Sequence, residues 1–221
     1  MKKIIFISRM LLFNLSICRI LQIWEIKKLK LIGTLIEFGA FAEKNKNFSY
    51  FLQNENKLKV FLSNINKKNR NFLKIDLNKK IKISKKFNNV LIFNVFEHLL
   101  NFTYSLNQIN KILKKKGLII GSTPFLYRIH GAPIDCYRFT PYILKKELSK
   151  KFYDIKISCL GYGPITACVS IISDYTKFIP FLNIILIIIS IALDKILNLF
   201  IKTDLKTIYP IAIFFLAKKN K

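Results

Sequence analysis

The sequence predicts an α/β fold: a doubly wound, mostly parallel sheet with helices on both faces. Three observations predict it. Short apolar runs alternate with helical patterns between residues 33 and 125. The run "LIIGSTPF" at 118–125 opens with continuous apolar residues, as a strand buried on both faces does. Polar residues close the apolar runs, and the carboxyl ends of strands are where such folds hold their ligands. Those residues are Glu37, Gly39, Asn64, Asp76, Asn94, Glu97, His98 and Thr123.

The elements follow in order. Residues 1–30 form an N-terminal helical segment. Arg9 and Arg19 interrupt its apolar run and no small-residue cleavage site follows, so it does not read as a secretion signal. Residues 4–26 read as one amphipathic helix, with Ile5, Leu12, Leu15 and Ile23 on one face and Trp24 at its end. Residues 31–177 form the main domain. "GTLIEFGA" (33–40) is its first strand, and residues 43–53 are a helix of poor periodicity. Residues 57–65, 71–77 and 88–95 are strands. Residues 103–117 read as a helix, with Leu106, Ile109, Ile112 and Leu113 at 3/4 spacing and Gly117 as its C-cap. After the strand 118–125 comes "HGAPIDCYRFTP" (130–141), where Gly131 and Pro133 make a turn. Thr140 and Pro141 mark a helix start, as N-cap and first helical residue. Residues 152–159 are a sixth strand, and "YPIAIFFLAKK", within the closing segment 205–221, is the last.

Between them, segment 178–204 is intensely apolar. Its uncharged part, Phe178–Leu193, is 16 residues, short of the roughly 20 that span a bilayer. Asn183, Ser190, Asp194, Asn198 and Lys202 fall on one helical stripe. A wide apolar face with a narrow polar stripe suits a helix lying in one leaflet, and Lys-rich flanks suit anionic lipid. A true span, or a helix packed on the sheet or at a dimer contact, are the alternatives.

The composition is strongly basic, with 38 Lys+Arg against 12 Asp+Glu and a formal charge of +26. The cations are mostly Lys scattered among Asn and Ile, without aromatic interleaving, and no nucleic-acid-binding signature is present. Nucleic acid is therefore not the expected partner. The four cysteines are far apart and only two histidines exist, so no metal site is expected.

The stretches "LIEFGA", "KIDL" and "VLIFNVFEHLLNFTYSLNQINKILKKKGLIIGSTPFLYRIHGAPIDCYRFTP" resemble the class I S-adenosylmethionine-dependent methyltransferases. The likeness is to the subgroup that modifies bacterial surface polysaccharide and lipid, and covers roughly residues 30–160. It implies a seven-stranded Rossmann-like sheet and S-adenosyl-L-methionine as cofactor. It also implies a small-molecule, sugar or lipid-linked acceptor in cell-envelope polysaccharide biosynthesis. The location implied is cytoplasmic, peripheral on the inner face of the plasma membrane.

On that resemblance, Glu37 and Gly39 belong to the loop that approaches the cofactor's amino-acid end, although the family's further glycines are replaced here. Asn64 stands where an acid usually takes the ribose hydroxyls. Asp76 and Leu77 fit the adenine, and Asn94 and Glu97 the methionine moiety. His98 either does chemistry or caps the next helix. His130, Asp135, Tyr137 and Arg138 would face the acceptor, with Asp135 or His130 taking a proton and Tyr137 and Arg138 binding substrate. Equally, Asp135 and Arg138 would form a structural pair and Tyr137 would fill space. The departures in the first loop leave a second reading open: a catalytically decayed homologue that serves as a membrane-attached binding partner.

Overall fold

The computed structural model describes residues 2–52, 57–66, 72–131, 134–176 and 178–220. Gln53, Asn71 and the expected turn residue Pro133 lie outside them. The strands are β1 Gly33–Phe38, β2 Leu58–Asn64, β3 Leu73–Lys74, β4 Phe87–Phe93, β5 Leu113–Pro124, β6 Phe152–Leu160 and β7 Ala212–Lys219. The helices are α1 Lys2–Leu11, α2 Ile17–Ile26, α3 Phe102–Ile112, α4 Pro141–Ser149, α5 Pro164–Thr176, α6 Pro180–Phe200 and α7 Leu205–Ile208.

The strands form one seven-stranded sheet in the order β3-β2-β1-β4-β5-β7-β6. The pairs β1–β2, β1–β4, β2–β3 and β4–β5 are parallel. β7 runs opposite to β5. Phe125, just past β5, donates to Ile211 before β7, while Lys219 at the end of β7 reaches the carbonyl of Leu113 at the start of β5. The strands at the centre are buried on both faces: Leu35 and Ile36 of β1, Val90, Leu91 and Ile92 of β4, and Ile119 and Ile120 of β5. That is why their sequences read as unbroken apolar runs.

The chain divides into two compact units. The larger comprises residues 26–123, 130–158 and 214–221 and contains most of the sheet. Here α3 buries Phe102, Leu106, Ile109 and Ile112. Asn101 caps α3 by accepting from Tyr104 N, and Thr140 caps α4 by accepting from Ile143 N, with Pro141 in the first turn. α3 stops at Ile112 rather than at the expected cap Gly117. Residues 113–117 instead extend β5, where pairing to β4 shifts register between Phe87 and Asn89 and Lys116 takes φ +58°. An irregular strand start thus replaces the helical pattern. The expected helix 43–53 is two 3-10 turns, Lys44–Lys46 and Phe48–Phe51.

The smaller unit comprises residues 1–25, 124–129 and 159–213 and is mostly helical. The expected single helix 4–26 is broken into α1 and α2. Asn14 takes a left-handed conformation at φ +57°, and Ser16 restarts the helix by accepting from Arg19 N. α6 packs against α5 with its polar stripe turned inward: Asn183, Ser190 and Asp194 are buried beside Ile187 and Ile191. A helix lying in one leaflet would hold that stripe on its wet side; here it faces α5. Its apolar residues face outward instead, with Phe181 at 78% and Leu199 and Phe200 at 81% exposure.

Asp194 explains the inversion. Its Oδ1 accepts from Ile165 N at 3.0 Å and its Oδ2 from Thr166 N at 2.7 Å, so α6 supplies the N-terminal cap of α5. A carboxylate there is matched by the amides and by the positive end of α5. Gly163 permits the approach, since a Cβ at 163 would lie 2.7 Å from Asp194 Cγ. Asp194→Ala should therefore cost about 1.5–3 kcal/mol, the range of bonds to a charged group. Chemical denaturation checks this; unchanged stability would mean that the cap is not holding α5.

Candidate active site

The strand order reverses between β1 and β4, which makes their carboxyl ends the topological switch point. The register aligns the strand ends. Phe38 pairs with Ser63 and Ile92, Ser63 with Leu73, and Phe93 with Ser122. The residues that follow, Gly39, Asn64, Asp76, Leu77, Asn94, Glu97 and His98, therefore share one edge with Glu37 and Thr123.

Gly39 sits at the switch point with φ +71°, and a Cβ on it would lie 2.8 Å from Val95 Cγ2. Backbone can thus come close to whatever occupies the crevice, which a side chain would prevent. Asn94, opposite, is also left-handed at φ +53°, and its N–H bonds to Ser122 O at 2.8 Å. The buried Glu37 accepts from Phe48 N at 2.7 Å and Ser49 N at 3.0 Å, fixing the second 3-10 turn. Asn47, missed in the sequence because nothing distinguishes it from its Lys-Asn surroundings, holds the loop. It accepts from Phe41 N at 2.7 Å and donates to Phe41 O at 3.1 Å. Asn64 donates to Ala40 O at 2.8 Å and accepts from Asn66 N at 2.9 Å, tying the loops after β1 and β2 together. Asp76 accepts from Asn78 N at 2.9 Å in an Asx turn, with Lys79 Nζ 3.7 Å from its Oδ2. Leu77 is buried, and its carbonyl accepts from Ser105 Oγ.

A second cluster lies past β4 and β5. Glu97 is fully buried, and burial pushes its carboxyl up to about 8, against the pull of Arg138. Its Oε2 accepts a long bond from Thr123 Oγ1, while its Oε1 makes no hydrogen bond among the described residues. The main-chain carbonyl of Glu97 accepts from Cys136 N at 2.6 Å and Tyr137 N at 3.2 Å, which draws the 130–141 loop in. His98 Nδ1–H donates to Ile134 O at 2.6 Å, and its Nε2 lies 3.8 Å from Glu97 Oε1. The His98 and His130 rings meet edge to face, with centroids 4.9 Å apart.

Within the loop, Asp135 receives His130 N at 3.0 Å and faces His130 Nδ1 at 3.2 Å. Arg138 grips the same carboxylate through Nη1 at 2.5 Å and Nη2 at 2.6 Å. These bonds, chiefly those of Arg138, lower the Asp135 carboxyl to about 2. Such a carboxylate accepts a proton poorly at neutral pH, so Asp135 orients His130 while the Arg138 fork is spent on the pair. Tyr137 OH donates to Leu100 O at 3.1 Å and its ring stacks on Phe139. Of the two alternatives for this loop, the structural pair is present.

Glu97 links stability to pH. Its carboxyl lies near 4.5 in the unfolded chain and near 8 in the folded one, so between those values the folded state holds an extra proton. Stability is greatest below the unfolded value and falls as pH rises toward 8, by about 1.4 kcal/mol per pH unit at most. Glu97→Gln should flatten that slope. Denaturation midpoints from pH 5 to 8, with chelator in every buffer, test this; equal slopes in parent and variant would refute it.

No protein-family model matches the chain, and no curated protein matches it in sequence. Solved structures match it in fold. The CurJ carbon methyltransferase does so at TM-score 0.56 and 12% identity, over 93% of this chain and 55% of that one. Phosphoethanolamine N-methyltransferase 2 of Haemonchus contortus, in complex with S-adenosyl-L-methionine, matches at 0.56 and 13%, over 90% and 52%. A SAM-dependent methyltransferase from Archaeoglobus fulgidus matches at 0.56 and 16%, over 92% of each chain. The chain thus spans about half the length of the first two. Its seven-stranded sheet with flanking helices is the Rossmann-like fold of these methyltransferases.

Proposed function

We propose that this chain is an S-adenosylmethionine-dependent methyltransferase acting on a small-molecule, sugar or lipid-linked acceptor of cell-envelope polysaccharide synthesis. The observation that carries the reading is Gly39. It is left-handed, packed too close to Val95 for a side chain, and placed at the switch point of a methyltransferase-type sheet. When bound, S-adenosylmethionine supplies a methyl group activated by the sulfonium. Gly39 and Asn94 would present main chain to its amino-acid end, Asn64 would take a ribose hydroxyl, and Asp76 and Leu77 the adenine. Glu37 acts through the loop it anchors. Glu97, neutral at pH 7, shapes the methionine end from behind. In the acceptor cluster, Asp135 and Arg138 position His130, and the two imidazoles are the groups suited to receive an acceptor proton. Alignment of donor and acceptor does most of the remaining work.

Calorimetric titration with S-adenosylmethionine tests the reading. The parent should bind, and Gly39→Ala, strained at φ +71°, should bind at least about tenfold more weakly, a loss of about 1.4 kcal/mol, with its circular dichroism unchanged. One observation favours a second reading, a binding partner without catalysis: Asn64 stands in place of a ribose-binding acid and spends hydrogen bonds on Ala40 and Asn66. No binding by the folded parent would select it.

Both readings carry a membrane proposal. α6 is long and apolar enough, by length and composition, to cross a membrane. Support for an interfacial position comes from its outward face, including Phe181, Ile185, Ile189 and Phe200, joined by Ile172 and Tyr175 of α5. The basic excess of the chain suits anionic lipid. The chain should cosediment with anionic vesicles. Ile185→Asp with Ile189→Asp should weaken this by one to two decades per site, as roughly 1.5–3 kcal/mol per buried isoleucine implies. A full-length chain that is monomeric without detergent and ignores vesicles would overturn the proposal.

A further inference from the structure

The chain has only two histidines, and both end in one place. His98 comes from the turn after β4 and His130 from the loop after β5. One ligand atom from each, with a carboxylate oxygen of Glu97, lies within 4.8 Å of the others. Two imidazoles and one carboxylate, brought together from two segments, are the donor set of a mixed nitrogen–oxygen metal site.

Two further observations point to a ligand. Glu97 is 0% exposed, yet its Oε1 has no hydrogen-bond partner among the described residues and lies 3.8 Å from His98 Nε2. A buried oxygen left in that state is costly unless something arrives to meet it. Each imidazole is also braced through its Nδ1. His98 Nδ1 bonds to Ile134 O at 2.6 Å, and His130 Nδ1 faces Asp135 Oδ2 at 3.2 Å. Carbonyl and carboxylate partners of this kind orient metal-binding histidines. The Arg138 charge, which would oppose a cation, is matched by Asp135 through two short bonds.

The geometry points to a site for one divalent first-row transition ion held by Glu97, His98 and His130. Metal–ligand distances of about 2.0–2.2 Å need the three atoms about 3–3.5 Å apart, a contraction that side-chain rotation supplies. Three protein ligands leave coordination positions open, where an acceptor hydroxyl would bind and release its proton to water more readily. In that state the ion, rather than an imidazole, assists deprotonation. Nitrogen donors favour manganese, iron, cobalt or zinc over magnesium. The site does not depend on methyl transfer.

The test is binding of the metal alone to the chelator-treated full-length chain. Titration with Mn2+ by electron paramagnetic resonance, and with Zn2+ by calorimetry, should give one ion per chain. Glu97→Gln and His98→Gln should each weaken binding at least about tenfold, while the surface change Asp154→Asn should not. Magnesium should compete poorly. In the parent, Zn2+ should protect both histidines from diethyl pyrocarbonate, read by peptide mass spectrometry; this arm stands even if a variant fails to fold. No stoichiometric binding, full binding in both variants, equal competition by Mg2+ or unprotected histidines would overturn the assignment.

Discussion

The candidate site depends on keeping water from one carboxylic acid. Glu97 is fully buried, and Phe96 beside it is packed among aromatic rings. Phe96 stacks on Phe215 at 5.3 Å with planes 5° apart and meets Phe102 edge-on at 4.8 Å. Those rings hold the turn after β4, and the turn delivers the Glu97 carbonyl to Cys136 and Tyr137. Cys136 and Tyr137 are thus held by main-chain bonds to the residue whose own side chain is buried. With the acid raised to about 8, its neutral form prevails at physiological pH, and an environment that separates it from Asp135, near 2, assigns the two acids different tasks. One can exchange a proton or a ligand; the other stays charged and orients its neighbours.

Asp194 is the instructive contrast. It too is fully buried, and it sits in the most apolar helix of the chain. Both its oxygens are met by amides of α5, so helix capping accounts for it. The difference between the two acids is hydrogen-bond completeness, not depth. A buried acid whose bonds are complete is a fastening, whereas one with an oxygen facing two imidazoles is a place where something binds. The same fastening turns the polar stripe of α6 toward α5 and leaves the apolar residues outside. That arrangement has a cost in water and none in a lipid leaflet.

Much of this was legible in the sequence. Continuous apolar runs marked β4 and β5, and Thr140-Pro141 marked the start of α4, because burial on both faces and cap chemistry are local signals. The strand-end positions that share an edge were legible for the same reason. What was hidden was settled by partners distant in sequence. Gly117 reads as a helix cap, but Leu113 pairs with Phe87 of β4 and residues 113–117 belong to β5. Periodicity found the polar stripe on α6 and could not say which way it faces. His98 and His130 were each visible as candidates, yet nothing in the spacing between them shows that their rings meet. Asp135 and Arg138, at i and i+3, offered two roles, and the fork between them is visible only in the folded chain.

Charge adds a further constraint. Against 38 Lys and Arg the chain sets only 12 acids, and Glu37, Asp76, Glu97 and Asp135 all lie at or beyond the carboxyl edge of the sheet. The proposed cofactor is itself cationic at its sulfonium and ammonium, so a chain this basic repels it from a distance. At the site, Glu37 is turned to the amides of Phe48 and Ser49, Asp135 is matched by Arg138, and Glu97 is protonated. Asp76, partly exposed with Lys79 3.7 Å away, is the carboxylate left to offset the repulsion locally. On the proposed reading, electrostatic attraction of the donor would rest on the partly exposed Asp76, and its capture would otherwise rely on main-chain groups around Gly39. Docking on anionic lipid would screen much of the remaining positive field. Membrane attachment would in that way ease cofactor binding without contributing a single contact to it.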